Sequence, residues 1–155
     1  MALPPFQTAL EQHREPLARF LAATVGPSDA EDALQETLIA ALRAYPRLRD
    51  GSNVRAWLFT IARNKALDEH RARARRPVPV VEVAVGASSL PPGEDDDLWA
   101  SVRALPPKQR AAVALRFVND MPHREIAQVL ECSEEAARRS LHEGLSKLRE
   151  ALDEH

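Results

Sequence analysis

Apolar positions recur at helical spacing along most of the chain. Leu10, Leu17, Phe20 and Leu21 form a stripe between Pro4-Pro5, a pair suited to a first helical turn, and the stop signal Gly26-Pro27. Ser28-Asp29-Ala30-Glu31 has the capping-box order, in which the two end side chains satisfy orphan amides reciprocally. A second helix is therefore predicted from Ser28, with Leu34, Leu38, Ala41, Leu42 and Tyr45 facing inward. Pro46 and the turn residues 49–53 end it, and a third helix is predicted over residues 54–76 with Trp57, Leu58, Ile61 and Ala62 inward, stopped by Pro77.

The pattern changes at residues 77–97, PVPVVEVAVGASSLPPGEDDD. Four prolines, two glycines and an acidic end read as a flexible linker, although the β-branched residues in 80–85 allow a short strand. Helical spacing then resumes with a short helix at 98–105, a break at Pro106-Pro107 and a helix through 111–118. After Asn119-Asp120 come a short helix over 122–130, the turn Glu131-Cys132-Ser133 and a long helix whose Leu141, Leu145, Leu148 and Leu152 share one face. A short helix, a tight turn and a longer amphipathic helix make the helix-turn-helix pattern, whose second helix can enter a DNA major groove. The expected fold class is all-α: two small helical domains, residues 1–76 and 98–155, joined by the flexible acidic linker 77–97.

Charge sharpens this division. The 155-residue chain has a formal net charge of only −2, yet residues 55–76 hold 7 basic and 2 acidic side chains, a concentrated basic stretch. The linker holds 5 acidic residues and no basic one. A single cysteine, Cys132, excludes an internal disulfide and a cysteine-based zinc site, and it reads as a small hydrophobe in the turn. Five glycines stand in no phosphate-cradling order, and the five histidines are scattered; no cofactor, metal or enzymatic activity is expected. His123-Arg124-Glu125 reads as a solvated helix start. No apolar run is long enough for a membrane span and the N-terminus lacks the order of a secretory signal, so a cytoplasmic protein without membrane insertion is expected.

Two segments carry a family resemblance. Ser28-Asp29-Ala30-Glu31-Asp32-Ala33-Leu34-Gln35-Glu36-Thr37-Leu38 with Trp57-Leu58-Phe59-Thr60-Ile61-Ala62-Arg63-Asn64 resembles region 2 of bacterial sigma-70 family sigma factors. Leu105-Pro106-Pro107-Lys108-Gln109-Arg110, then Arg124-Glu125-Ile126-Ala127 through Leu148-Arg149, resembles region 4. Both occur in the family's order, and the chain is similar to the short extracytoplasmic-function (ECF) group. The resemblance implies a factor that binds core RNA polymerase, at the largest subunit's clamp helices and at the flap region, and directs promoter-specific initiation. An anti-sigma factor is a further implied partner.

Residue by residue, it implies polymerase binding by Asp29, Asp32, Gln35 and Glu36, where carboxylates and an amide suit basic partners. It implies capture of the −10 promoter strand by Asp50, Ser52 and Asn53 in the loop and by Arg55, Arg63, Asn64, Lys65, Arg71, Arg73, Arg75 and Arg76 on the helix, through phosphates and unstacked base edges. Trp57 is expected in the core rather than stacked on a base. Glu94, Asp95, Asp96 and Asp97 can mimic RNA charge in the polymerase or merely solubilise a tether. Arg124, Ser133, Arg138 and Arg139 are the −35 candidates, with Ser133 as an N-cap.

The chain departs from the family pattern here. Glu131 stands where glycine commonly takes a left-handed turn, Glu134-Glu135 place carboxylates toward DNA phosphate, and Gly144 weakens the helix interior by about 1 kcal/mol. These departures motivate an alternative, a sigma-like mimic that binds an anti-sigma factor or polymerase without initiating. An autonomous helix-turn-helix regulator is a third reading, but it normally binds paired half-sites as a dimer, and no dimerisation element is evident.

Overall fold

A computed structural model describes residues 2–75 and 96–153, with the side chain of Asp96 excepted. Arg76, the stretch 77–95 with its possible strand and its acidic residues Glu94 and Asp95, and His155 lie outside the described residues. Within them the chain forms α1 (Phe6–Val25), α2 (Pro27–Ala44), a 3-10 turn (Tyr45–Arg47), α3 (Val54–Ala74), α4 (Asp96–Arg103), α5 (Pro107–Phe117), α6 (His123–Leu130) and α7 (Glu134–Asp153), with no strand among them.

Helices α1, α2 and α3 pack on one another around Leu17, Phe20, Leu21, Leu34, Leu58 and Phe59. Phe20 and Phe59 meet edge to face with ring centroids 5.6 Å apart. Each such burial is worth about 1.5–3 kcal/mol. The Tyr45 ring sits between Phe6, which it meets edge to face, and a tilted Trp57, and its hydroxyl donates to the Pro4 carbonyl, tying the N-terminus to the bundle.

The predicted capping box does not start α2. Gly26, at φ 96°, is the N-cap and Pro27 occupies the first turn, so Ser28 already lies inside the helix. Proline's preset φ suits that position, and the preceding residue must turn sharply between α1 and α2, which only glycine does without strain. The inward stripe is also corrected. Ala30, Ala33, Leu34, Thr37 and Ala41 are buried and Leu38 partly so, but Leu42 is 59% exposed and Ile39 51%. On α3, Leu58 and Ala62 are buried as expected together with Phe59, whereas Trp57 and Ile61 are only partly covered.

Helix α4 begins at Asp96, earlier than the expected 98, where two acidic residues suit a helix N-terminus. Helix α5 is buried continuously from Arg110 to Leu115 because it is covered on both sides, by α1 and α3 and by α6 and α7. Gly144 explains itself here: a Cβ at that position would meet Val113 Cγ2 at 3.0 Å and the Gln109 carbonyl at 3.4 Å. The propensity cost is thus exchanged for close approach of α7 to α5. Leu141 and Leu148 are buried and Leu145 partly so, but Leu152, in the last turn of α7, is 44% exposed. Glu131 adopts the left-handed conformation the turn requires, φ 55° and ψ 46°, without being glycine. The half-buried Cys132 beside it packs on the core.

The buried apolar residues of the two halves are contiguous. Polar contacts close the seam between them: Arg110 Nη1 donates to the Thr24 carbonyl at 3.1 Å, and Asn119 Nδ2 to the Pro16 carbonyl at 3.0 Å.

Candidate polymerase and nucleic-acid interfaces

On α2, Asp32, Gln35 and Glu36 are exposed and fall on the same face as Ile39 and Leu42. Sequence reasoning placed Leu42 in the core because one apolar residue at helical spacing looks like another. The signal for a second face was the pair Ile39 and Leu42 following the polar trio. Asp29, three and seven positions before Asp32 and Glu36, is engaged in an ion pair with Arg73 of α3.

The basic residues of α3 divide between two faces. Asn64, Arg71 and Arg75 lie in solvent on one side, at spacings of seven and four, with Lys65 partly covered beside them. Arg55, Arg63 and Arg73 turn toward neighbouring helices. Arg63 lines the junction of α3 with α1 and α5, where its Nε is buried without a hydrogen-bond partner among the described residues. Asp50 is exposed in the turn, and Ser52 donates to the Arg49 carbonyl at 2.7 Å.

The start of α3 is tied to the other half of the molecule. Asn53 caps the helix, its Oδ1 accepting from the Ala56 amide at 3.1 Å, while its Nδ2 donates to Glu125 Oε2 at 3.1 Å and Gln128 Oε1 at 3.4 Å. Arg55 holds the same carboxylate in a fork: Nε donates to Oε2 at 3.0 Å and Nη2 pairs with Oε1. The Glu125 side chain is 11% exposed and that of Arg55 37%. Hydrogen bonds from Arg55 outweigh burial and hold the Glu125 carboxyl below the usual carboxylate range, and the carboxylate in turn raises Arg55. His13 of α1 stands near this pair, lowered from its ordinary value by burial first and then by Arg55. Glu125, expected on a solvated helix start, is instead buried here, and neither it nor Gln128 was expected to matter at α3, because they lie 70 or more positions away in sequence.

Farther along the seam, Arg110 is 7% exposed and donates to the carbonyls of Thr24 and Leu105, with His70 Nδ1 3.3 Å away. It borders a cleft of about 270 Å³ shared with His70, Arg73 and Arg103. Burial, then the neighbouring Arg103 and Arg73, push its guanidinium down; burial and Arg110 do the same to His70.

On the helix-turn-helix, Ser133 Oγ accepts from the Ala136 amide at 3.0 Å, the expected N-cap contact. Arg124, Arg138 and Arg139 are exposed. Glu134 forms a 2.9 Å ion pair with Arg138, so that carboxylate is partly neutralised within its own helix. Arg116 joins Arg124 and Arg138 around an open concavity with His123, Pro122 and Glu134. Sequence reasoning missed Arg116, which α5 contributes from outside the two-helix motif, its Nη1 donating to the Met121 carbonyl at 3.1 Å.

Among the described residues no helix is long and apolar enough to cross a membrane, and no group of potential metal ligands occurs. Residues 9–76 match the profile of Sigma-70 region 2, and residues 95–148 that of Sigma-70, region 4. The RNA polymerase sigma factor CarQ of Myxococcus xanthus is 33% identical, over 96% of this chain and 90% of its own. The ECF RNA polymerase sigma factor ShbA of Streptomyces griseus is 34% identical over 79% of this chain and 73% of its own. Among solved structures, the sigma factor RpoE in complex with the anti-sigma factor NepR, from Bartonella quintana, superposes with TM-score 0.79 at 25% identity over 96% of both chains. CnrH in complex with the cytosolic domain of CnrY superposes with TM-score 0.73 at 25% identity, covering 96% of this chain and 87% of that one. Two matched regions in order, a helix-turn-helix and relatives matched over most of their length place the chain in one family: it belongs to the sigma-70 family, as a promoter-directing RNA polymerase sigma factor of the ECF group.

Proposed function

We propose that three surfaces divide the work of this initiation factor between residues 1–76 and 98–155. The exposed face of α2, Asp32, Gln35 and Glu36 with Ile39 and Leu42, docks on the clamp helices of core RNA polymerase's largest subunit. The start and solvent face of α3 take the unstacked −10 strand, with Asp50, Ser52 and Asn53 at the bases and Arg55, Lys65, Arg71 and Arg75 at phosphates, Asn64 reaching a base edge. Helices α6 and α7 carry Arg124, Ser133, Arg138 and Arg139 to the −35 duplex, with Arg116 beside them, and meet the polymerase flap. The linker 77–97 spans the two. An anti-sigma factor is a further partner, a reading supported by the Bartonella quintana neighbour being a sigma factor in complex with an anti-sigma factor. Work on polymerase puts the protein in the cytoplasm.

The observation that carries this reading is the α2 face. Acidic and amide groups suited to arginine lie beside two large apolar side chains, 51% and 59% exposed, that the fold leaves uncovered. The test is run-off transcription from a genomic promoter pool with core polymerase, recording co-elution in the same preparation. Defined new transcripts are expected; co-elution without transcripts would favour the mimic reading instead. Replacing Gln35 and Glu36 with lysine sets like charges against the clamp and should weaken polymerase binding by about 100-fold or more with helicity unchanged. Unchanged binding would remove the clamp assignment.

A further inference from the structure

Arg110 is a buried cation bonded to neutral groups. Among the described residues its Nη atoms meet the carbonyls of Thr24 and Leu105 and the His70 ring, and its buried Nε has no hydrogen-bond partner. Carbonyl oxygens satisfy N–H donors but leave the charge in place, and a guanidinium taken out of water is costly until an anion stands against it. Two more arginines add to the imbalance: Arg103 of α4 and Arg73 of α3 stand close enough to push the Arg110 guanidinium down. Arg103 lies across the turn between α1 and α2, its Cδ and Nε 3.6 and 3.7 Å from where a Cβ on Gly26 would stand, and Arg73 is anchored by Asp29. Both side chains are thereby held beside the cleft of about 270 Å³ that Arg110 and His70 also line, with Glu69 as the carboxylate among its described lining residues.

We propose that this cleft is a binding site for a small diphosphate-bearing anion, with Arg73 and His70 on the α3 wall and Arg103 and Arg110 on the wall made by α4 and α5. Cations on two walls suit a ligand with two anionic centres, one for each wall, and guanidinium groups match phosphate oxygens in pairs. The cleft falls just short of the roughly 300–1,000 Å³ of a drug-sized ligand pocket, and its described lining offers no Phe, Tyr or Trp on which a base could stack. Recognition therefore centres on the phosphates. Inorganic diphosphate and a nucleoside diphosphate share this chemistry, the nucleoside of the second extending out of the cleft. A nucleic-acid backbone is the weaker fit, because Arg110 is 7% exposed and a chain with one charge per phosphate does not concentrate two at one recess. The site is separate from the three surfaces assigned above, and its failure would leave them untouched. Its cations come from both halves of the molecule, so a small phosphorylated ligand bound there bridges α3 to α4 and α5.

The test is titration calorimetry and thermal melting of the full chain with sodium diphosphate at constant ionic strength. One saturable site is expected, with a melting temperature that rises with ligand concentration. Inorganic phosphate, which offers one centre for two walls, should bind about tenfold more weakly or worse. Arg103→Gln should weaken diphosphate about tenfold or more, and Arg103→Lys, which keeps the charge and loses the fork, should fall between, with helicity unchanged in both. Arg19→Gln, which removes an equal charge from the exposed face of α1, should leave the affinity as it was. Adenosine diphosphate binding as tightly as diphosphate would support the site with a nucleotide as its source, and binding of diphosphate alone would support it with the inorganic ion. No saturation by either ligand overturns the proposal. So does an equal loss in Arg103→Gln and Arg19→Gln, the mark of general charge attraction. A labelled single strand of about 12 nucleotides that loses affinity in Arg103→Gln, while diphosphate fails to saturate, would assign the cleft to nucleic acid and overturn it as well.

Discussion

At the start of α3 the side chains suited to a promoter strand are already bonded, Asn53 and Arg55 to Glu125 and Gln128. On α6 and α7 the side chains suited to the promoter duplex stand in solvent, with Arg138 held only by a surface ion pair from its own helix. One short helix produces both conditions. Arg124 and Glu125 are consecutive, so they point about 100° apart, the arginine outward and the glutamate into the seam. The lesson is that the two DNA-facing surfaces are not independent: whatever frees the first must move the helix that carries part of the second.

The largest effect that sharpens this contrast is expected on the open surface. Replacing Arg138 and Arg139 with alanine should weaken binding of the chain to upstream promoter duplex by about 10- to 100-fold, with a shallower salt dependence. Strand binding at α3 should stay as it was; an equal loss on the strand, measured by fluorescence anisotropy, would break the contrast. A smaller effect is expected from Arg110→Met, which leaves the Thr24 and Leu105 carbonyls without their buried donor. About 1–3 kcal/mol should be lost in a denaturant melt, with lengthening across α1 and α5. Retention of the full stability would show that Arg110 is not what fastens the halves.

The smallest effect is on pH. His13 and His70 are both lowered by burial, so the folded chain binds fewer protons than the unfolded one just below pH 6.5, and stability falls there as pH falls. Glu125 is also lowered, so its contribution is present above the usual carboxylate range and is lost as pH drops through its depressed value. The loss of stability, followed by denaturant melts across pH, should begin mildly near pH 6 and steepen in stronger acid. In Glu125→Gln the acid step should vanish while the histidine step remains.

Much of the fold was legible in the sequence because helices announce themselves by period and by their stops. Pro5, Gly26-Pro27, Pro106-Pro107 and Ser133 each stand at or beside the helix end they were expected to mark. The errors have a common cause. Leu42 and Leu152 have the spacing of core residues, but whether an apolar side chain is covered depends on how far the neighbouring helix extends. The basic stretch of α3 was read as a whole, yet Arg55, Arg63 and Arg73 turn to neighbours and Asn64, Arg71 and Arg75 to solvent, a division set by where α2, α5 and α6 dock. The partners of Asn53 could not be read at all, since nothing local to Glu125 or Gln128 marks them as reaching across 70 residues.

The side-chain amide of Asn53 serves two masters through its two ends. Its oxygen fixes the first turn of α3, and its nitrogen faces a carboxylate of the opposite half. An aspartate there would keep the oxygen, and so the turn, but would set two carboxylates against each other. Exchange of one NH2 for one oxygen would therefore leave the helix start intact while it loosens the hold on α6 and alters the group offered to a promoter strand, so that cap, seam and strand contact are separable at one side chain.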